Sequence, residues 1–293
     1  MTTEVVNLEN GKQVKVERVL AALDAHFPFD HAFEGDQVGL LAGDVTMPVS
    51  GILFSLDLSL SSIAQAQKLG ANLIVSHHPL RLGGAEYFNL APLADTYPQR
   101  VLSAALSAGI ALVAVHTNLD VSEAARSYWG EVLDLEALGP LPAATKKLGF
   151  SEQKTGQQTS DYYGELWQAE SPRTVDQLAE ELAELTGSAV RVYGSGDAQA
   201  KTVVTATGSG GARIVEAQLA GADLLISGEF GYHSALAAVE SSLNLIELGH
   251  DVSELPLVEI LAEVVRSEKL LDEGVLHIED RARIWHNVSA SAK

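Results

Sequence analysis

The chain has 293 residues, a formal net charge of −20 and no cysteine. Its length suits two domains at roughly 150 residues each. The missing cysteines exclude disulfides, thiolate nucleophiles and sulfur-ligated zinc or iron–sulfur sites, and the charge argues against a grip on duplex nucleic acid, which needs clustered Lys and Arg.

In chain order, residues 14–27 read as an amphipathic helix. Short apolar, β-rich runs predict strands at 51–55, 72–76, 110–115, 202–207, 223–227 and 243–248. Ala- and Leu-rich patterns between them predict helices at 61–69, 99–108, 214–220 and 234–242. A Gly/Pro-rich stretch at 81–98 reads as a loop over a sheet edge. The polar, Gly/Pro-punctuated stretch 139–164 marks a boundary, followed by a helix at 174–186. A helix at 256–266 and a strand at 275–278 close the chain. Strand and helix alternating in this way predict an α/β class, with mixed sheets flanked by helices. The expected division is 1–138 plus 243–293 for one domain and 139–242 for the other. No apolar run approaches the ~20 residues of a membrane span. The N-terminus lacks the basic flank and apolar core of a signal peptide, so a cytoplasmic location is expected.

Residues 51–76 align without gaps with 202–227, matching Ile63 to Ile214, Ala66 to Ala217, Gln67 to Gln218, Gly70 to Gly221, Leu73 to Leu224 and Ser76 to Ser227. Any two β-α-β units share helix-end glycines and buried Ala or Leu. The gap-free length nevertheless favours an internal duplication. Each copy is followed by Asp-Val-Ser-Glu, at 120–123 and again at 251–254.

Four predicted strands end in metal-ligand residue types. The first runs into His77-His78-Pro79 and the second into His116 and then Asp120. A third runs into Gly228-Glu229 with His233 beyond, and the fourth into His250 and Glu254. Open α/β sheets gather their ligands outside the carboxyl ends of strands. Adjacent His77 and His78 on extended backbone would point opposite ways, so two metals could each take one. His250 and Glu254, four apart, would share a helical face. Three imidazoles and two carboxylates suit a pair of divalent ions ~3.5–4 Å apart. Ordinary structural roles compete singly: Asp120 and Asp251 as helix caps, Glu254 as a first-turn acid. They explain the joint pattern poorly.

The blocks SHHPL (76–80), HTNLD (116–120), ISGEFGYH (226–233) and GHDVSE (249–254) resemble the signatures of the Nif-three-like dinuclear-metal family, also called type-two GTP cyclohydrolase I. DQVGLLAG (36–43) and ATGSGG (206–211) resemble two further blocks. The resemblance implies two divalent cations per chain held by His77, His78, Asp120, His250 and Glu254. In that pattern Glu254 bridges, His78 and Asp120 serve one ion, and His77 and His250 the other. It also implies a homohexameric ring with sites facing an inner cavity. The chain departs from the pattern at Glu229, where an Asp is usual, and at Gln37, where Asn is usual. A Gly-Arg-rich segment near 163–166 is absent, and no inserted domain follows residue 150.

The implied activity is metal-dependent hydrolysis, with ring opening of GTP and release of formate. His116 or His233 would carry the proton, His116 being favoured by its place beside Asp120; supporting a ligating carboxylate is the competing role for either. The ATGSGG turn could cradle an anion but lacks a P-loop lysine, so a tight structural turn is expected. Arg81 is the nearest basic residue for a phosphate. Zn, Mn, Fe, Co and Ni all suit the donor set. The alternatives are a non-catalytic metal-binding or regulatory scaffold and a dinuclear phosphoesterase.

Overall fold

The computed structural model describes residues 8–9, 12–80, 96–142, 162–281 and 284–285. Arg81, most of the 81–98 loop and the greater part of the 139–164 boundary lie outside the described residues.

A short pair, β1 (Leu8–Glu9) and β2 (Lys12–Gln13), precedes α1 (Val16–His26). Then come β3 (Gly39–Ala42), β4 (Ile52–Ser55), α2 (Leu60–Leu69), β5 (Leu73–Ser76), α3 (Tyr97–Ala108), β6 (Ala111–Ala114), α4 (Thr117–Asp120) and α5 (Glu123–Val132). The second half holds β7 (Glu136–Pro140), β8 (Glu165–Thr174), α6 (Val175–Thr186), β9 (Arg191–Tyr193), β10 (Gln199–Thr205), α7 (Ile214–Ala220), β11 (Leu224–Ser227), α8 (Tyr232–Glu240) and β12 (Asn244–Glu247). The chain then returns to the first half through α9 (His250–Ser267) and β13 (Leu276–Ile278).

One sheet has the order β13-β4-β5-β6-β3 and the other β7-β8-β10-β11-β12-β9. In each, three consecutive parallel strands end against an antiparallel edge, β3 on β6 and β9 on β12. Helices cover both faces, which is why β4, β5, β6 and β11 are buried along their whole length. Val19 and Leu23 of α1 pack with Leu257 and Leu261 of α9 on one face of the first sheet. Ile63 of α2 and Val101 of α3 pack on the other. The class is α/β with two related halves, as the strand–helix alternation predicts. The duplicated helices stop alike: Gly70 (φ 73°) ends α2 and Gly221 (φ 75°) ends α7, each in the left-handed conformation that glycine adopts without penalty.

The predicted strands fall within a few residues of the observed ones. The strand expected at 243–248 pairs with β11 and β9 in the second sheet, so the return to the first half begins with α9, not at 243. Pro256 lies inside α9 and does not open a helix there. Absent from the sequence reading are the short β1, β2 and α4 and, of the longer elements, β3, α5, β7, β8 and β9. In β8, Pro172 falls where the register against β10 jumps from Gln168↔Thr202 to Arg173↔Ala200, and such a bulge is where a sheet tolerates proline.

Helix α5 joins the halves. Trp129 is buried in the second half's core and donates its indole N–H to the Ser253 carbonyl at 2.9 Å. Arg126 pairs with Glu165 of β8. Gly130 lets the helix lie directly on the Trp167 ring. Ala is ordinarily worth ~1 kcal/mol more than Gly inside a helix. Here the added methyl would overlap a ring that is 1% exposed and cannot retreat. Gly130→Ala should therefore lose about 1–3 kcal/mol, read as a lower urea midpoint; a higher midpoint would refute this packing.

Candidate metal centre

The parallel register sets Ser76 beside Ala114, and Ser227 beside Glu247, so the strands of each sheet end level and their following residues meet. His77 and His78 follow β5, held by backbone bonds from their N–H groups to the carbonyls of Ser55 (3.1 Å) and Leu56 (2.8 Å). Asp120 ends the single turn α4 after β6. His250 opens α9 and Glu254 lies one turn further on.

These five side chains meet in one cluster. His77 Nε2 lies 3.7 Å from Asp120 Oδ1 and 3.8 Å from Glu254 Oε1. His78 Nε2 and His250 Nε2 lie 2.9 and 3.2 Å from Glu254 Oε2. The two Glu254 oxygens thus face different imidazoles. The structure groups His77 with Asp120 and His78 with His250, whereas the resemblance implies His78 with Asp120 and His77 with His250. The expectation that His77 and His78 point apart fails, since their ring centroids are 5.0 Å from each other at one cluster. Both residues lie past the end of β5, where strand alternation no longer applies.

Each imidazole is held through Nδ1, which turns Nε2 toward the cluster. His77 Nδ1 donates to the Val115 carbonyl at 3.0 Å, and His78 Nδ1 to Asp57 Oδ1 at 2.8 Å. His250 Nδ1 lies 3.1 Å from Glu229 Oε1. His116 joins His77 and His78 in a further group of ligand-type atoms, and its Nδ1 meets both oxygens of Asp36 at 2.9 Å. Asp36 also accepts from the Thr117 hydroxyl at 2.5 Å. Backbone or carboxylate acceptors of this kind orient metal-binding histidines and raise their basicity. Thr207 donates to Asp120 Oδ1 at 2.9 Å.

Asp36, Asp57, Thr207 and Glu229 thus complete the site, and the sequence reading gave none of them this task. Their signal was position alone: each follows a strand end or lies in a quoted block. Glu229, a departure from the family pattern, reaches His250 with its longer side chain. His233 stands outside the cluster, exposed in the first turn of α8 with its ring against Tyr232. Asp251 forms an ion pair with Arg281 at 3.3 Å. Glu254 is 3% exposed, which a solvated first-turn acid would not be.

The ATGSGG segment is a structural turn. Gly208 N–H donates to Ser253 Oγ at 2.9 Å and Gly210 N–H to the Glu229 carbonyl at 3.0 Å, so both groups are spent internally. Gly208 has φ +55°, and a Cβ there would collide with Glu254 Oε1.

Burial works against charge throughout, and the partners outweigh it at His78, His250 and Glu254 but not at Asp120. Hydrogen bonds to Asp57 and Glu254 lift His78 to about 10 despite its desolvation. The Glu254 hydrogen bond, reinforced by Glu229, lifts His250 to about 9. Glu254 is held well below the usual carboxylate range by the three imidazoles, again against desolvation. Asp120 is pushed up, chiefly by burial. His77 Nε2, fully buried, has no partner in hydrogen-bond geometry. Leaving such an atom unpaired costs about 1–3 kcal/mol. It faces the Asp120 and Glu254 carboxylates, and nitrogen and oxygen donors with this placement fit a divalent cation.

A two-lobed α/β protein with imidazoles and carboxylates at opposed strand ends is the class these observations define. The chain belongs to the Duf34/NIF3 (NGG1p interacting factor 3) family, whose model matches residues 14–281. That bears out the resemblance carried by the signature blocks. A Streptomyces coelicolor protein named GTP cyclohydrolase 1 type 2 homolog is 30% identical over 251 residues, 84% of each chain. A Staphylococcus aureus hypothetical protein of known structure shares 25% identity with a TM-score of 0.77, over 94% of this chain and all of that one. A Bacillus cereus protein related to NIF3 superposes with a TM-score of 0.76 at 22% identity, over 96% of this chain and all of that one.

Cation binding should release protons. In chelator-stripped protein, His78 and His250 carry protons up to about pH 10 and 9, and a ligating imidazole must be neutral. Raised histidine values also mean that their ion pairs with Glu254 stabilise the stripped protein fully below ~6.5 and fade as pH climbs to those values. Zinc affinity should therefore strengthen from pH 7 to 9, and calorimetry at pH 7.5 in two buffers of different ionisation enthalpy should show proton release. Equal heats in both buffers would contradict this charge state.

Proposed function

We propose that the chain binds two divalent cations through His77, His78, Asp120, His250 and Glu254 and is a metal-dependent hydrolase of the GTP cyclohydrolase kind. The observation that carries this reading is the buried Glu254 carboxylate, whose oxygens face separate imidazole groups. Curated relatives named GTP cyclohydrolase 1 type 2 homolog support the reaction class. Divalent cations bound there supply Lewis acidity and activate water at neutral pH.

The chain's own residues supply the rest. Glu254 and Asp120 place negative charge at the centre, and Thr207 fixes the Asp120 carboxylate. His116 is partly buried beside His77 and His78. With Nδ1 engaged by Asp36, its Nε2 is left to take a proton from water and return it to the leaving nitrogen as the guanine imidazole ring opens. Ring opening leaves a formamide, and a second water hydrolyses it to formate and a free amine. The same reading includes a homo-oligomer, a hexameric ring, and a nucleotide as substrate, with Zn, Mn, Fe, Co or Ni as the cation. No helix among the described residues is long and apolar enough to cross a membrane.

Native protein should carry close to two ions per chain by elemental analysis, falling sharply in Glu254→Gln and His78→Ala at unchanged oligomeric state. Retention of two ions in both variants would overturn the ligand set. The loaded protein should release formate from GTP. Orthophosphate in its place would indicate a phosphoesterase, and neither product would leave a metal-binding scaffold; either result overturns the proposed reaction.

A further inference from the structure

A cavity of about 350 Å³ lies where α5, α6, α9 and the C-terminal return meet, and none of its lining residues is among the five proposed ligands. Small-molecule sites favour such junctions, with mostly apolar walls and a few polar groups that fix orientation. Leu56, Trp129, Val252 and Val258 form apolar walls here.

Its charged groups decide what it would take. Arg281 lines the cavity, but its guanidinium is already engaged by Asp57 at 3.0 Å and Asp251 at 3.3 Å. Glu259, also on the lining, pairs with Arg266 at 3.4 Å. The Glu279 carboxylate is the exception. It is partly buried, and among the described residues it has no hydrogen bond and no ion pair. Burial, aided by the nearby Asp57 charge and only partly offset by Arg281, pushes it up to about 7. An anionic ligand would have to displace two aspartates from Arg281. A cationic one finds a carboxylate with no ion pair among the described residues, in an open and mainly apolar cleft, on a chain of net charge −20.

We propose that this cavity binds an organic cation, a primary ammonium on a compact apolar body, with the ammonium against Glu279 and the body against Trp129, Val252 and Val258. The site is separate from the metal cluster and goes beyond the hydrolase reading. Arg281 nevertheless connects the two, because its partner Asp57 also holds His78.

The test is calorimetric titration of the full chain with phenethylammonium and, separately, with phenylacetate, its anionic counterpart in shape. Saturable binding of the amine, with phenylacetate at least about tenfold weaker, is expected. Glu279→Gln should weaken the amine at least about tenfold while keeping the metal content of the native protein. Removing an unpaired carboxylate should leave this variant as stable as the native chain at pH 8, or more so. Three results would each overturn the proposal: no amine binding, equal binding by Glu279→Gln, or preference for phenylacetate. A lowered melting temperature in Glu279→Gln would also overturn it, by revealing a structural partner for the carboxylate.

Discussion

The burial of the Glu254 carboxylate is the constraint on which the rest of the structure depends. A carboxylate removed from water is costly unless it is compensated, and here compensation comes from three imidazoles rooted in different parts of the chain. His77 and His78 follow a strand of the first sheet, while His250 shares a helical turn with Glu254 after a strand of the second. The two sheets must therefore meet at their carboxyl ends. That approach leaves no room for side chains at Gly208 and Gly228, where an added Cβ would strike Glu254 and Ser253 respectively. Ser253 is fully buried and ties the arrangement together by accepting from Gly208 N–H and donating to the His250 carbonyl.

Duplication explains how the opposed strand ends arose, and the site shows how the copies diverged. Both halves carry Asp-Val-Ser-Glu after the third parallel strand. In the first, the single turn α4 presents Asp120 inward, a new helix starts at Glu123, and Glu123 is exposed. In the second, helix α9 begins one residue before the tetrapeptide, so Glu254 turns inward and Asp251 pairs with Arg281. One sequence thus contributes its first carboxylate in one half and its last in the other.

Much of the fold was legible because the signals were local. Buried parallel strands are apolar throughout, and helix-end glycines stand out between them. β8 was not legible. Its alternating half carries Trp167 and Ala169, but Ser171 and Pro172 break the pattern at a bulge that exists only because β10 lies alongside. β3 was hidden for a related reason. Its flanking Gly43 has φ +114° and lies against Ala111, a fit visible only once β6 is in place.

The sequence by itself determined which ligand types stand at which strand ends, since those residues follow directly from each apolar run. It also carried the family's signature blocks and, with them, the membership that comparison confirms. Only the tertiary structure decided which imidazoles share an oxygen of Glu254. It also decided that His233 stands apart and that Asp36, Asp57 and Glu229 hold the rings. Those outcomes depend on the angle and separation of two sheets, set by packing between residues far apart in the chain, and no local pattern encodes them.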